Sequence, residues 1–264
     1  MDSLRGLFID ERYIMATVRD IAKKAIQPKG GYTSLDQFQK KQLDDGQHLY
    51  SQENINAGLV GSAVDYLTRF MFDGKKREAF KISLLGAKNI RQTFKAELYL
   101  NKIQGLDNYS IEYACKLTGY DICYRGNPFY YRPVDDIVPD AKTMANIRLM
   151  VQRTQNFFCE YGPIKSYGCT LQDKENILQG DIDLLTQDTI WDIKTTKKSP
   201  NPVDRLQVIL YYVLAEHIRK RGFSKVEYVG IFNPRLNTIY RLRISDLPQQ
   251  VLNEIKTNVM NYKI

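Results

Sequence analysis

A mixed α/β fold, with a central mixed sheet flanked by helices, follows from three features of the 264-residue chain. Residues 55–72 and 202–221 carry apolar residues at helical spacing. Residues 166–195 and 225–244 break instead into short runs whose side chains alternate, the period of strands. Along the chain these elements come as helices, three strands, a helix, two strands and a helix, an order that fits a sheet with helices on its faces.

Taken in order, the polar stretch 1–54 reads as short helices and loops around Gly30–Gly31. Residues 55–72 predict a helix with Val60, Val64, Leu67 and Met71 on one stripe. Asp65 lies at the edge of that stripe, and Gly61 one turn earlier leaves room for close approach. The segment 73–135 reads as a basic, Tyr-rich insertion, with a hint of strands over 110–124. Asp140 predicts a helix N-cap, followed by an amphipathic stripe to Phe158. Short strands are predicted at 166–171, 177–185 and 189–195. Asn201, Pro202 and Asp204 predict a helix start, with the helix running to about Arg221 before Gly222. A hairpin over 225–233 and 237–244 and a last helix from about Leu247 complete the reading. The whole is expected to be one domain, 1–264, made of a helical N-terminal part (1–72), the insertion and the sheet.

Composition narrows the function classes. Hydrophobic residues make up 43% and charged residues 26%, which excludes collagen-like, coiled-coil and disordered chains. No run approaches the roughly 20 apolar residues of a membrane helix. The start, with Asp2, Asp10 and Glu11, has no apolar run of a secretory signal. A cytoplasmic protein with no membrane partner is therefore expected. The cysteines, Cys115, Cys123, Cys159 and Cys169, have neither zinc-knuckle nor iron–sulfur spacing and read as buried thiols. With only His48 and His217, any metal must be held mainly by carboxylates, which favours a hard cation. Lys and Arg outnumber Asp and Glu by 38 to 30, a tilt toward a polyanionic partner.

The stretch 178–196, LQGDIDLLTQDTIWDIKTT, is the most informative. Strand alternation puts Asp181 and Asp183 on one face and Asp192 and Lys194 on one face. The short Gln187-Asp188 connection predicts a hairpin, so Asp183 and Asp192 can lie side by side with Lys194 two residues on. Asp181 is the alternative carboxylate. Two carboxylates and a lysine on one face are costly to bury without a purpose. Around Mg²⁺ they make sense, the carboxylates holding the ion and the lysine placing water and stabilising phosphoryl charge. Gln207 and Tyr211 lie one above the other on the helix that follows. A glutamine among apolar neighbours needs partners, which a catalytic lysine, water or phosphate would supply. Gly74-Lys75-Lys76-Arg77 and Lys197-Lys198 are candidate contacts to a phosphate backbone.

In this order, Gly180-Asp181-Ile182-Asp183, Asp192-Ile193-Lys194-Thr195-Thr196 and Gln207-x-x-x-Tyr211 resemble the PD-(D/E)XK nuclease superfamily, in its RecB-like exonuclease branch. The motifs cover 178–214, and a looser resemblance covers about 55–245. The resemblance implies a restriction-endonuclease-like core and a Mg²⁺- or Mn²⁺-dependent DNA nuclease, first of all an exonuclease in DNA processing, repair, recombination or phage and mobile-element biology. A structure-specific endonuclease and a non-catalytic DNA-binding module on the same fold are the alternatives. It implies Asp183, Asp192 and the backbone carbonyl of Ile193 as metal ligands and Lys194 as the catalytic lysine. Gln207 and Tyr211 would line the site and contact the phosphate or the lysine. Partners implied are DNA ends or single strands, with a helicase or recombination protein alongside; no P-loop pattern is present. The branch usually has Gly-x-x-x-His on an upstream helix. Here Gly61-Ser62-Ala63-Val64-Asp65 puts Asp65 at the position of that metal-binding histidine, the alternative being a solvated or helix-capping role. No iron–sulfur cluster is expected.

Overall fold

In the computed structural model, which describes residues 16–175 and 177–263, the chain begins with β1 (Ala16–Thr17), α1 (Val18–Lys24), β2 (Gln39–Gln42) and α2 (Ala57–Asp73). A helical stretch follows: α3 (Lys76–Ala79), α4 (Lys81–Asn89), α5 (Thr93–Lys102), α6 (Asn108–Thr118), α7 (Ile122–Arg125) and α8 (Ala141–Tyr161). Then come β3 (Ser166–Asp173), β4 (Leu178–Leu185), β5 (Thr189–Ile193), α9 (Pro202–His217), β6 (Tyr228–Asn233), β7 (Thr238–Arg243) and α10 (Gln249–Glu254). The start of the chain, read above as lacking a secretory signal, lies outside the described residues. Among the described residues no helix is long and apolar enough to cross a membrane.

The expected mixed sheet with flanking helices is present. Its order is β1-β4-β5-β6-β7-β2, with β3 paired antiparallel to β4. β5 and β6 are parallel, joined by α9 as the crossover helix, while β4–β5 and β6–β7 are antiparallel. β1 and β2 escaped the sequence reading. β2 is Gln-Lys-Lys-Gln, exposed throughout, and pairs with β7 without any apolar alternation to mark it as a strand.

Local signals placed most boundaries. Asp140 caps α8 by accepting from Thr143 N–H, and Asn201 with Asp204 forms a reciprocal capping box on α9. α9 ends at His217, short of Arg221. There Lys220 N–H bonds the Ala215 carbonyl and Arg219 takes a left-handed φ of 48°, so the helix unwinds before Gly222. The segment 110–124 is helical, which corrects the hint of strands. Ile111, Ala114, Cys115 and Thr118 are buried at helical spacing, and Asp107 caps α6.

The sheet is covered on both faces. On one, Leu206, Leu210 and Leu214 of α9 pack with Ile182, Ile190, Ile231 and Val18. On the other, Phe157 of α8 stacks on Phe232 at 4.3 Å and meets Trp191 edge-on at 4.9 Å. α2, α4, α5, α6 and α8 share a separate helical core. α2 and α8 run in the same direction: Asn54 N–H bonds Thr143 Oγ1 at their starts, and Phe72 meets Phe158 at their ends. Of the cysteines, Cys115 and Cys123 are buried as read, but Cys169 is half-buried and Cys159 exposed.

Within the helical core α4 crosses so close to Tyr120 that a Cβ on Gly86 would lie 2.0 Å from the Tyr120 carbonyl oxygen. Backbone cannot rotate away as a side chain can. Gly86→Ala is therefore expected to cost about 3 kcal/mol in overpacking, against about 1 kcal/mol gained in helix propensity. A urea melt should show the net loss; an unchanged or raised midpoint would refute the close crossing.

Candidate active site

β4 and β5 pair only at Leu184–Trp191 and Leu185–Ile190, then part. The break sits at Asp183. Ile182 packs in the α9-side core and Leu184 in the α8-side core, so residues two apart face opposite ways. Opposite this bend, between the paired residues Tyr167–Leu184 and Cys169–Ile182, β3 has Gly168 at φ +66°, a conformation that suits glycine. The bend swings the Asp183 carboxylate over the gap, where Oδ2 accepts from Ile193 N–H at 2.8 Å. In an extended residue N–H and C=O project from the same edge, so the Ile193 carbonyl faces the gap as well.

Asp192 and Lys194 lie on the α9 side of β5, as expected. Asp192 is 3% exposed. Its Oδ1 accepts from Gln207 Nε2 at 3.1 Å. Its Oδ2 is 2.9 Å from Lys194 Nζ, a buried ion pair. Lys194 also donates to Gln207 Oε1 at 3.0 Å, and the capping residue Asp204 is 3.6 Å away. Gln207 Nε2 also donates to Tyr211 Oη at 2.7 Å. The glutamine thus finds the lysine partner its sequence environment demanded. Gln207 and Tyr211 are both buried at the lining of the cleft; Gln207 fixes Asp192 and Lys194, and Tyr211 braces Gln207.

Charge is finely balanced here. Burial, with Asp192 and Asp65 nearby, pushes the Asp183 carboxyl up to about 7, against the pull of Arg69. Burial also raises Asp192, against the Lys194 ammonium. For Lys194 burial favours the neutral amine, but Asp192 and Asp204 outweigh it and hold the ammonium above its usual range. Lys194 is therefore a charged donor at neutral pH.

Other expected residues fall at different depths. Asp181 lines the same cleft but is exposed and tied to Thr170 Oγ1 and Gln179 Nε2. Asp65 neither caps a helix nor stands free in solvent; Arg69 Nε donates to its Oδ1 at 2.9 Å. Gly61 gives the expected close approach, with Thr195 Oγ1 3.0 Å from where its Cβ would be. Lys197 and Lys198 line a cleft of about 2300 Å³ that holds the site, along with Lys23, Lys81, Lys174 and Lys220. The stretch from Lys75 to Arg77 is not part of its lining; Lys76 bonds the Ile103 carbonyl and Arg77 pairs with Glu97.

Sequence reading missed Arg69 and Arg235. The i, i+4 spacing of Asp65 and Arg69 was the available signal for the first. Arg235 Nε donates to the Thr195 carbonyl and its other nitrogens pair with buried Glu53, which steadies the backbone just after Lys194. No local pattern links residues that far apart in sequence.

The donors suit a hard cation: two carboxylates, one of them the buried Asp192, and a backbone carbonyl, all oxygen. Among the described residues no group of three or more Asp, Glu, His or Cys is gathered closely enough to hold an ion. Gln207→Leu would leave Lys194 and Tyr211 without their buried partner. Loss of such supporting bonds is expected to lower metal affinity or activity about 10–100-fold. Titration of the variant with Mn²⁺ checks this, and wild-type affinity with wild-type turnover would refute it. No protein-family model matches the chain, and no curated protein matches its sequence.

Proposed function

We propose that this chain is a Mg²⁺- or Mn²⁺-dependent DNA nuclease that hydrolyses phosphodiester bonds, acting on DNA ends as an exonuclease. The observation that carries the reading is Asp192: a buried carboxylate ion-paired to Lys194 and set across a gap from a second raised carboxylate, Asp183. Burying this set costs stability and serves no packing purpose. Preference for ends comes from the resemblance to the RecB-like branch.

Asp183, Asp192 and the Ile193 carbonyl would hold the cation, with Asp65 as a further ligand. The ion supplies Lewis-acid stabilisation of phosphoryl charge and acidifies water. Lys194, held as an ammonium, acts as a donor: it orients the attacking water and stabilises the charge that grows on the phosphoryl oxygens. It is not the base. Gln207 and Tyr211 keep Lys194 and Asp192 in register. The lysines along the cleft would neutralise backbone phosphates, so binding should weaken with salt. The setting that goes with this reading is intracellular DNA processing, beside a helicase or recombination protein.

The test is incubation with linear duplex, single-stranded and closed circular DNA at low salt, with Mg²⁺ or Mn²⁺. Linear molecules should shorten from their ends, circles should stay closed, and Asp192→Ala should be inactive. Nicked circles would make it an endonuclease. A second reading, a non-catalytic DNA-binding module, is favoured by the Arg69–Asp65 pair, which leaves two carboxylates at the gap. Calorimetry separates the two. The enzyme binds Mn²⁺ and loses it in Asp192→Ala, whereas the module binds little in either form.

A further inference from the structure

Arg69 follows Asp65 by one turn on α2, and its guanidinium reaches into the site. Nε donates to Asp65 Oδ1 at 2.9 Å, and Nη2 lies 3.7 Å from Asp183 Oδ1. The group sits 5.1 Å from the Tyr167 ring centre, the range of a cation–π contact. Gly168 makes the space for it: a Cβ there would lie 2.8 Å from Nη1. The side chain is one quarter exposed. Burial opposes its charge, but Asp65, Tyr167 and Asp183 more than compensate and hold the cation firmly. A helix, a bent strand and a left-handed glycine together build this position, which sets it apart from a solvated i, i+4 pair.

We infer that Arg69 is a tethered counter-ion of the candidate metal site. It neutralises Asp65 and Asp183 in the absence of a divalent cation, and it must move off both before a cation can use them. The inference rests on the reading of Asp183 and Asp192 as metal ligands. Arginine does not deprotonate in proteins, so it cannot vacate the position by losing its charge and has to swing into the adjoining cleft. Arg69 and the metal therefore compete for the same carboxylate oxygens, and Arg69 sets the affinity and the number of carboxylates the ion receives.

Calorimetric titration of the full chain with MnCl₂ tests this, comparing wild type, Arg69→Gln, Arg69→Lys and Asp192→Asn. Removing the competitor should tighten Mn²⁺ binding on the order of tenfold in Arg69→Gln, the usual scale of coupling between two ligands. Arg69→Lys keeps the charge and the stem but loses the fork that spans both carboxylates, so it should fall between wild type and Arg69→Gln; it also serves if the glutamine variant fails to fold. Asp192→Asn should lose binding. Unchanged or weaker binding in folded Arg69 variants, with binding lost in Asp192→Asn, overturns the counter-ion role and leaves the metal site standing. Binding seen only after Arg69 is replaced supports both. No binding in any form overturns the metal reading and the inference with it.

Discussion

Replacing Lys194 by alanine is expected to slow DNA cleavage by about 10²–10³-fold, the usual cost of removing one preorganised donor from a site where charge develops. The size follows from what the ammonium touches. It is the counter-charge of Asp192, it is fixed by Gln207, and it is held protonated by two carboxylates. The same change leaves Asp192 buried without a cation, which typically costs about 3–5 kcal/mol. Stability should therefore fall in the metal-free protein and recover when Mn²⁺ is present, while activity with Mn²⁺ stays low, since a bound divalent ion compensates Asp192 without replacing the donor to the phosphoryl group. Single-turnover cleavage with Mn²⁺, and urea melts with and without it, measure both. Cleavage within a few fold of wild type would remove Lys194 from the chemistry. Lys194→Arg is not a conservative control, because a planar fork does not fit where a compact ammonium sits between Asp192 and Gln207.

The second large effect has the opposite sign for stability. Asp183→Asn should abolish Mn²⁺ binding and activity while making the metal-free protein more stable at neutral and alkaline pH. The folded Asp183 carboxyl is pushed up to about 7, above its unfolded value. A folded state that holds its proton more tightly than the unfolded chain has that stability in full below about pH 4; it drains as pH rises toward 7 and is gone above it. Relief of this penalty is worth about 4 kcal/mol at pH 8. Asparagine keeps an acceptor for Ile193 N–H and removes the charge that Asp192 and Asp65 oppose. Thermal melts across pH 4–9 should show the wild type losing stability toward neutral pH and the variant staying flatter. Mn²⁺ should restore the wild type alone, more strongly as pH rises through 7, because the ion needs the ionised carboxylate. Parallel profiles for the two proteins would show that Asp183 is not strained by its neighbours.

What the sequence revealed was whatever a few neighbouring residues decide. Asn201, Pro202 and Asp204 specify the start of α9 by themselves, so that boundary could be read directly. Asp183, Asp192 and Lys194 lie within twelve positions, and strand alternation with a short turn was enough to bring them together. Alternation failed where the strand bends. Ile182 and Leu184 pack in cores on opposite sides of the sheet, where a regular strand would put them on one face. Gln207 was recognised by its unmet polarity, and the packing shows which groups meet it: Lys194, Asp192 and Tyr211. β2 is held by backbone pairing to β7 some 200 residues later, and its four polar side chains say nothing of it.

The same-direction packing of α2 and α8 bears on how this architecture could be shortened or rebuilt. Two parallel neighbours cannot be joined by a tight turn; the chain has to travel back along the whole length of the first before the second can begin. A 17-residue helix is about 25 Å long, so the shortest return path needs about eight extended residues. Residues 74–140 make that journey as a folded body, roofing the shared core of Tyr66, Leu67, Ile147 and Val151 on the way. A miniaturised version would have to supply both the path and the roof. A graft that swaps in a different helical body need only match the two anchor points, at Gly74 and Asp140, and offer an apolar underside. Changes in the size or surface of this wall of the cleft can therefore come without any alteration to the strands that carry Asp183, Asp192 and Lys194.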